Sequence, residues 1–233
     1  MEVRNLDSNA VTIQPTFDFI GGYLCLDFAN TIIGLPPDSI LQERLTSYPD
    51  LVAWSQQANL TSESEAQVLL HKAENNPVEA AATLERARAI RKAICGIFTA
   101  VAEGTQPTGR DLDLFNRELE RAMAGPRLIV TTDGFGLEWR KQEGAFDQML
   151  APVVRSAATL LTSAQRQLVH QCANEDCTWL FVDTTKNHRR KWCRTTGCGN
   201  VMRVRKYRER RRSEEKSAND LYAFDCVLPS PWL

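Results

Sequence analysis

The chain has 233 residues, of which 43% are hydrophobic and 24% are charged, a composition typical of a globular protein with one or two domains. It contains no apolar stretch long enough to span a bilayer and no N-terminal pattern of a secretory signal, so we expect a cytoplasmic protein with no membrane partner. The net charge of −1 hides an asymmetry. Residues 186–212 contain twelve Lys or Arg and one acid, which leaves 16 basic and 28 acidic residues elsewhere. A basic segment attached to an acidic body is typical of nucleic-acid-binding proteins.

The N-terminal part of the chain predicts mostly helices. Asp50 is a candidate N-cap for one helix, and Ser62 with Glu65 forms a capping-box pattern for the next. Pro77 suits the first turn of the longest predicted helix, which Gly104 and Pro107 should end.

Further elements follow in chain order, and the apolar period changes from helical to alternating after Gly125-Pro126. They are a helix over 108–124, strands over 127–132 and 135–140 joined at Asp133-Gly134, a helix over 145–161 and a short strand over 166–171.

The cysteines near the C-terminus have the spacing of a metal site. Cys172, Cys177, Cys193 and Cys198 form the pattern C-x4-C-x15-C-x4-C. Four thiolates in two pairs can complete a tetrahedral shell around one Zn²⁺, which leaves no open position for catalysis. In a chain without an export signal, paired cysteines bind metal more often than they form disulfides. We therefore predict a structural zinc site with a hairpin between its two cysteine pairs, and we expect His188 to be a phosphate contact or a turn residue rather than a ligand.

A basic helix is predicted directly after the last cysteine. Asn200 is a favoured N-cap, and the helix should run over 201–212. Val201, Val204 and Tyr207 make a narrow apolar stripe, which we expect to dock on the hairpin. Only Glu209 within this helix could pair with its cations, so the charge is self-repulsive and favours a polyanionic partner. The alternative is a charged surface that only offsets the negative charge of the zinc site.

The nucleic-acid contacts that we predict are mostly arginines. They are Arg203, Lys206, Arg208, Arg210, Arg211 and Arg212, helped by Arg189 and Arg190.

Two stretches of the chain carry a family resemblance. Residues 172–210, with the pattern C-x4-C-x-W-L-F-x-D-x6-R-K-W-C-x4-C-G-N-x6-Y-R-x-R, resemble the CGNR zinc finger of bacterial proteins. Residues 21–31 (GGYLCLDFANT) and 50–54 (DLVAW) are similar to the ABATE domain that accompanies this finger. The resemblance implies a DNA-binding transcription regulator linked to stress responses. The final Arg of the motif is Val201 here, so a phosphate contact made by that Arg in relatives is either missing or has passed to Arg203 or Arg205.

A polar trio interrupts the first apolar stretch. Asp27, Asn30 and Thr31 are spaced so that they share one face of a helix. They could line a small-molecule effector pocket, or they could form a hydrogen-bond network that fixes this segment against its neighbours. We favour the network, because buried polar groups usually satisfy each other.

The predicted fold is mainly α. A helical, ABATE-like and effector-sensing domain with a small β-hairpin covers 1–163, and a treble-clef-like zinc finger with a hairpin and a basic helix covers 164–212. Residues 213–233 form a tail in which two prolines argue against a terminal helix.

The predicted function is DNA binding by a transcription regulator with a structural Zn²⁺ ion, controlled through a small-molecule effector or through homo-oligomer formation. A zinc-dependent protein-interaction module, a thiol-based redox sensor and RNA as the ligand remain alternatives. An enzyme is not predicted, since the three histidines are scattered and G-x-S-x-G is absent.

Overall fold

The structure is a computed structural model that describes residues 16–35, 39–139 and 144–224. It confirms the mainly helical prediction. Within the described residues the helices are α1 (Leu24–Ala29), α2 (Tyr48–Gln57), α3 (Glu63–Asn75), α4 (Pro77–Glu103), α5 (Gly109–Ala122), α6 (Leu150–Thr162) and α7 (Asn200–Phe224). None of these described helices is both long and apolar enough to cross a membrane.

The strands pair antiparallel in twos within the described part of the chain. The pairs are β1 (Ile32–Leu35) with β2 (Ser39–Glu43), β3 (Pro126–Thr131) with β4 (Gly134–Trp139), and β5 (Val169–Gln171) with β6 (Leu180–Val182).

Local capping signals explain where several helices begin. Ser62 and Glu65 form the predicted capping box of α3, and α4 begins at Pro77 as predicted. The predicted N-cap of α2 was wrong: the cap is Ser47, and Asp50 is its capping-box partner at the third helical position. The Asp50 carboxylate accepts a hydrogen bond of 2.7 Å from the Ser47 backbone N–H.

One hydrophobic core runs through the body of the protein. Phe28 of α1 packs against Trp54 of α2 with their ring centroids 4.8 Å apart, and both side chains are fully buried. The same core continues into the C-terminal hairpin, where Val169, Leu180 and Val182 are buried. The predicted boundary between residues 163 and 164 is therefore crossed by continuous apolar packing.

The C-terminal helix is longer than predicted. α7 does not end at Arg212 but extends to Phe224, so the prediction of a non-helical tail was wrong over this segment. Residues 213–224 contain neither Gly nor Pro, which removes the usual helix terminators. The two prolines of the tail come later, at 229 and 231, outside the described residues.

The predicted β3–β4 hairpin is present, with its turn at Thr132-Asp133 rather than at Asp133-Gly134. Two cross-strand pairs, Leu128 with Leu137 and Val130 with Phe135, lie on the same face, and all four side chains are exposed.

The predicted strand over 166–171 is shorter, because a single 3₁₀ turn (Ala164–Leu168) precedes β5.

A double-glycine loop connects the body to the C-terminal hairpin. The Gly21 N–H donates to the Asp27 carboxylate at 2.8 Å, and the Gly21 carbonyl accepts from the Val182 N–H at 2.8 Å. A Cβ at Gly21 would lie 2.6 Å from the Leu26 Cβ and 3.0 Å from the Leu26 carbonyl carbon. Gly22 has a φ of +82°, a conformation that L side chains rarely adopt.

We expect Gly21→Ala to lower the free energy of unfolding by about 1–3 kcal/mol, because the added methyl group meets the backbone of α1. Urea denaturation measures the change. Gly109→Ala is the matched control, since a Cβ at Gly109 meets open space at the start of α5. Equal stability of Gly21→Ala and the wild type would contradict the prediction.

Candidate metal centre and basic helix

The four predicted cysteines converge in space. Their Sγ atoms all lie within 4.8 Å of one another, and two of the separations are 3.8 Å (Cys177 to Cys193) and 3.5 Å (Cys193 to Cys198). A tetrahedron with zinc–sulfur bonds of about 2.3 Å has sulfur–sulfur edges of about 3.8 Å. The cluster therefore fits a single tetrahedral metal ion, and four soft thiolate ligands suit zinc.

Backbone hydrogen bonds hold the segments that carry these cysteines. The Cys172 N–H donates to the Trp179 carbonyl at 2.8 Å, and the Ala173 N–H donates to the Lys191 carbonyl at 2.8 Å. The last cysteine lies in one wide helical turn (Thr195–Gly199) that leads directly into α7. The sulfur cluster and the start of the basic helix are thus parts of one short backbone segment.

Two N–H groups point at the sulfurs. The backbone N–H of Cys193 donates to the Cys172 Sγ at 3.4 Å, and the buried Asn174 amide donates to the Cys198 Sγ at 3.4 Å. Such donors stabilise negative charge on thiolates and orient them toward a metal.

The close spacing of the thiols alters their affinity for protons. Hydrogen bonds from Cys177 and Cys193 lower the pKa of Cys172 to about 2. Donation to Cys172 in turn raises the pKa of Cys177 to about 12, and it also raises the pKa of Cys193. Without a cation the cluster therefore retains protons, which a divalent metal displaces on binding.

Asp183 organises the turn between the cysteine pairs, although the sequence analysis did not assign it a role. Its buried carboxylate accepts hydrogen bonds from the Thr185 N–H (2.8 Å), the Thr185 hydroxyl (2.6 Å) and the Arg190 N–H (2.7 Å). Burial alone would raise the pKa of Asp183, but these bonds lower it to about 2. The Asp-x-Thr sequence of an Asx turn was the signal that could have identified it.

His188 is a turn residue. Its φ is +47°, and its Nδ1 atom lies 3.1 Å from the Asp183 carbonyl oxygen. Among the described residues, the metal-sized group contains the four cysteines and no histidine.

Arg190 packs inside the finger. Its guanidinium donates to the carbonyls of Trp192 (3.1 Å) and Cys193 (2.5 Å). The guanidinium carbon also lies over the Phe181 ring, 4.1 Å from the ring centroid. We therefore assign Arg190 to the support of the hairpin rather than to the phosphate contacts. Arg189 is exposed and stays a predicted contact.

Asn30 joins the body to the finger with a pair of hydrogen bonds. Its amide nitrogen donates to the Leu180 carbonyl at 2.9 Å, and its amide oxygen accepts from the Leu180 N–H at 2.9 Å. The Trp179 indole N–H adds a bond of 3.1 Å to the Ile32 carbonyl, and Arg194 forms an ion pair with Asp18. The backbone of β6 is therefore attached to the body along the edge that is not paired with β5.

The predicted polar trio is engaged in bonds within the protein. Besides the Asn30 pair, the Thr31 hydroxyl donates to the Phe28 carbonyl at 2.8 Å and accepts from Arg91 at 3.0 Å. The Asp27 carboxylate holds the double-glycine loop through the Gly21 N–H. These contacts favour the hydrogen-bond network over an effector pocket at this place.

The apolar stripe of α7 does not dock on the hairpin, so this prediction was wrong. Val201, Val204 and Tyr207 are 50%, 48% and 54% exposed. The helix packs mainly against the wide turn before it. Among residues 200–216 of α7, whose side chains are described, all but Met202 and Arg205 are exposed.

The cations of α7 differ in their partners. Arg205 pairs with Asp176 at 2.8 Å. The part of α7 beyond Arg212 supplies two further partners: Arg210 lies 3.6 Å from Glu214, and Arg211 lies 3.3 Å from Glu215. Five cations have no carboxylate within ion-pair distance among the described side chains of α7: Arg203, Lys206, Arg208, Arg212 and Lys216.

The fold places the protein in a class in which a helical body shares its core with a four-cysteine finger that leads into a basic helix. Residues 22–164 match the ABATE family, described as "Putative stress-induced transcription regulator", and residues 169–211 match the CGNR zinc finger. The chain therefore belongs to the ABATE family and carries a CGNR zinc finger, which confirms the resemblance seen in its sequence. No curated protein matches the chain.

The Asn174 contact predicts slower metal loss in the wild type than in Asn174→Ala. Zinc-loaded Asn174→Ala should transfer its metal to a colorimetric chelator about tenfold faster, because outer-shell partners commonly change metal affinity by about 10–100-fold. Asn187→Ala, at an exposed position of the turn, is the control. Equal transfer rates for the two variants would show that the Asn174 amide does not hold the sulfur.

The raised pKa of Asp27 predicts how the free energy of unfolding depends on pH. Burial raises its pKa to about 6 against two backbone hydrogen bonds that lower it. Since an unfolded Asp has a pKa of about 3.9, the folded state binds this proton more tightly, and the stability contributed by the group falls as the pH rises from about 4 to about 6.

The free energy of unfolding of Asp27→Asn, relative to the wild type, should therefore increase between about pH 5 and about pH 7.5. Urea denaturation at several pH values measures it. A difference that stays constant across this range would rule out the elevated pKa.

Proposed function

We propose that this protein is a DNA-binding transcription regulator, in which a Zn²⁺ ion held by Cys172, Cys177, Cys193 and Cys198 supports a finger that presents α7 to the phosphate backbone. The observation that carries the proposal is the charge of α7. Lys206, Arg208 and Arg212 lie on an exposed helix, without a carboxylate partner among the described side chains, directly after the cysteine cluster.

The dimensions of α7 suit a duplex. A helix of 25 residues is about 37 Å long, and the major groove of B-DNA admits an α-helix. Because α7 contacts the rest of the protein mainly near its start, the exposed side chains of residues 206–216 are accessible to a long ligand.

Cations that already have partners also support phosphate binding. The pairs of Arg210 with Glu214 and of Arg211 with Glu215 are i,i+4 contacts between exposed side chains, which contribute little stability. A phosphate can replace such a carboxylate at little cost. The proposed phosphate set is therefore Arg189, Arg203, Lys206, Arg208, Arg210, Arg211 and Arg212.

The exposed valines give α7 a second kind of contact. Val201 and Val204 lie next to Arg205 and Arg208, so one side of the first turns combines apolar and cationic groups. Apolar side chains in the major groove contact thymine methyl groups, and arginines bind guanine edges. The replacement of the motif's Arg by Val201 therefore exchanges a charged contact for an apolar one. The effector and the homo-oligomer stay predictions.

The test is selection of bound sequences from random duplex DNA with the zinc-loaded protein, followed by binding curves at several salt concentrations. The wild type should enrich a motif, whereas Cys193→Ser, which removes a metal ligand, should not. Cys95→Ser, outside the cluster, is its control.

Arg208→Ala/Arg212→Ala should weaken DNA binding and reduce the slope of log K against log salt by about 2, since each lost phosphate contact removes about 0.9. Arg110→Ala/Arg117→Ala removes the same charge from exposed positions on α5 and should leave the slope unchanged.

Enrichment that survives both Cys193→Ser and the double α7 variant would place the nucleic-acid site elsewhere. Affinity for an acidic protein that does not respond to salt, with no DNA enrichment, would favour the protein-interaction alternative.

A further inference from the structure

A cavity of about 500 Å³ lies in the body, away from the cysteine cluster and from α7. Its walls come from α4, α5, β4 and α6, and its volume is within the usual range of about 300–1,000 Å³ for small-molecule sites. Apolar side chains from α6, including Leu150 and Val154, form part of the lining. The indole of Trp139 forms another part.

Most charges around this cavity are neutralised within the protein. Arg86 binds Glu118 at 2.6 Å and Asp147 at 2.6 Å, and Arg121 binds Glu118 at 2.9 Å. These three contacts use both carboxylates of the lining.

Arg155 is the exception among the described cavity residues. Its guanidinium is half-buried and has no carboxylate within ion-pair distance among the described side chains. It lies over the Trp139 ring, 4.3 Å from the ring centroid. The lining thus contains three guanidinium groups and two carboxylates, and the excess positive charge is next to an aromatic ring.

Capping of α5 accounts for only part of this arrangement. One Arg155 nitrogen donates to the carbonyl of Ala122, the last residue of α5, at 2.9 Å. That bond uses one of the five N–H donors of an arginine. The capping role does not require a guanidinium stacked on an indole at the wall of a cavity.

We propose that this cavity binds a small organic carboxylic acid with a planar apolar body. The carboxylate accepts hydrogen bonds from the free donors of Arg155, and the apolar body packs against Trp139 and the α6 side chains. A planar guanidinium matches the two oxygens of a carboxylate, and an apolar wall with one fixed cationic group is typical of ligand pockets. Binding at this site does not depend on the DNA-binding function proposed for α7.

The test uses 2-naphthoate as the acid, 2-naphthamide as its uncharged counterpart and inorganic phosphate as an anion without an apolar body. Calorimetry and the shift of the melting temperature measure binding to the full-length, zinc-loaded protein without DNA. We expect 2-naphthoate to bind and to raise the melting temperature, and the amide and phosphate to bind about tenfold more weakly or worse.

Arg155→Gln should weaken 2-naphthoate binding about tenfold or more, because Gln retains a donor for the Ala122 carbonyl but lacks the charge. Arg166→Gln is the matched control: Arg166 also donates to a backbone carbonyl, that of Ser163, at 3.0 Å, but it is exposed and outside the cavity. Arg208→Ala/Arg212→Ala should bind the acid as the wild type does.

Trp139→Phe gives a second readout if Arg155→Gln does not fold. It should abolish the change in tryptophan fluorescence that 2-naphthoate causes in the wild type, because Trp139 is the tryptophan in the cavity lining. Failure of 2-naphthoate to bind at millimolar concentration, equal binding of acid and amide, or binding lost in Arg208→Ala/Arg212→Ala but kept in Arg155→Gln would each overturn the proposal.

Discussion

Mutual repulsion of four sulfur atoms is the constraint on which the C-terminal part of this protein depends. Thiolates within 4.8 Å of one another need a cation at their centre, and the apolar side chains packed around them are few. The residues around the cluster serve that requirement: Asn174 and the Cys193 N–H donate to sulfur, while Asp183 and Arg190 shape the turn between the cysteine pairs. Because Cys198 lies in the turn that leads directly into α7, an ion bound by the four cysteines would also anchor the start of the basic helix.

The second constraint is the junction between the body and the finger. Asn30 replaces a missing strand neighbour for Leu180 by offering both a donor and an acceptor, and the Gly21 carbonyl accepts a hydrogen bond from the Val182 N–H. The Gly21 contact depends on the sharp double-glycine loop, which the half-buried Asp27 carboxylate holds through the Gly21 N–H. The polar residues Asp27 and Asn30, which interrupt an apolar stretch of the sequence, therefore help to satisfy the backbone groups at the junction between the body and the finger.

Most features encoded by neighbours in sequence were predictable, with the N-cap of α2 as an exception, and features created by distant packing were not. The cysteine spacing, the Ser62–Glu65 capping box and the proline at the start of α4 each act within a few residues, and all were identified. The position of the Val201–Val204–Tyr207 stripe depends on where the finger directs α7, which periodicity does not reveal. Likewise, the cavity beside Arg155 is assembled from several separate elements, so no single stretch of sequence indicates it. For Asp183, the Asp-x-Thr sequence signals the local Asx turn, but its bond with the Arg190 N–H, seven residues further on, depends on the folded turn.

The uninterrupted apolar packing across residue 163 has an evolutionary consequence. A recombination breakpoint there would expose the apolar side chains of Val169, Leu180 and Val182 to solvent. Both halves would then carry exposed apolar surfaces that favour aggregation. Since the finger shares this core with the body, we expect substitutions on the two sides of the shared packing to be coupled.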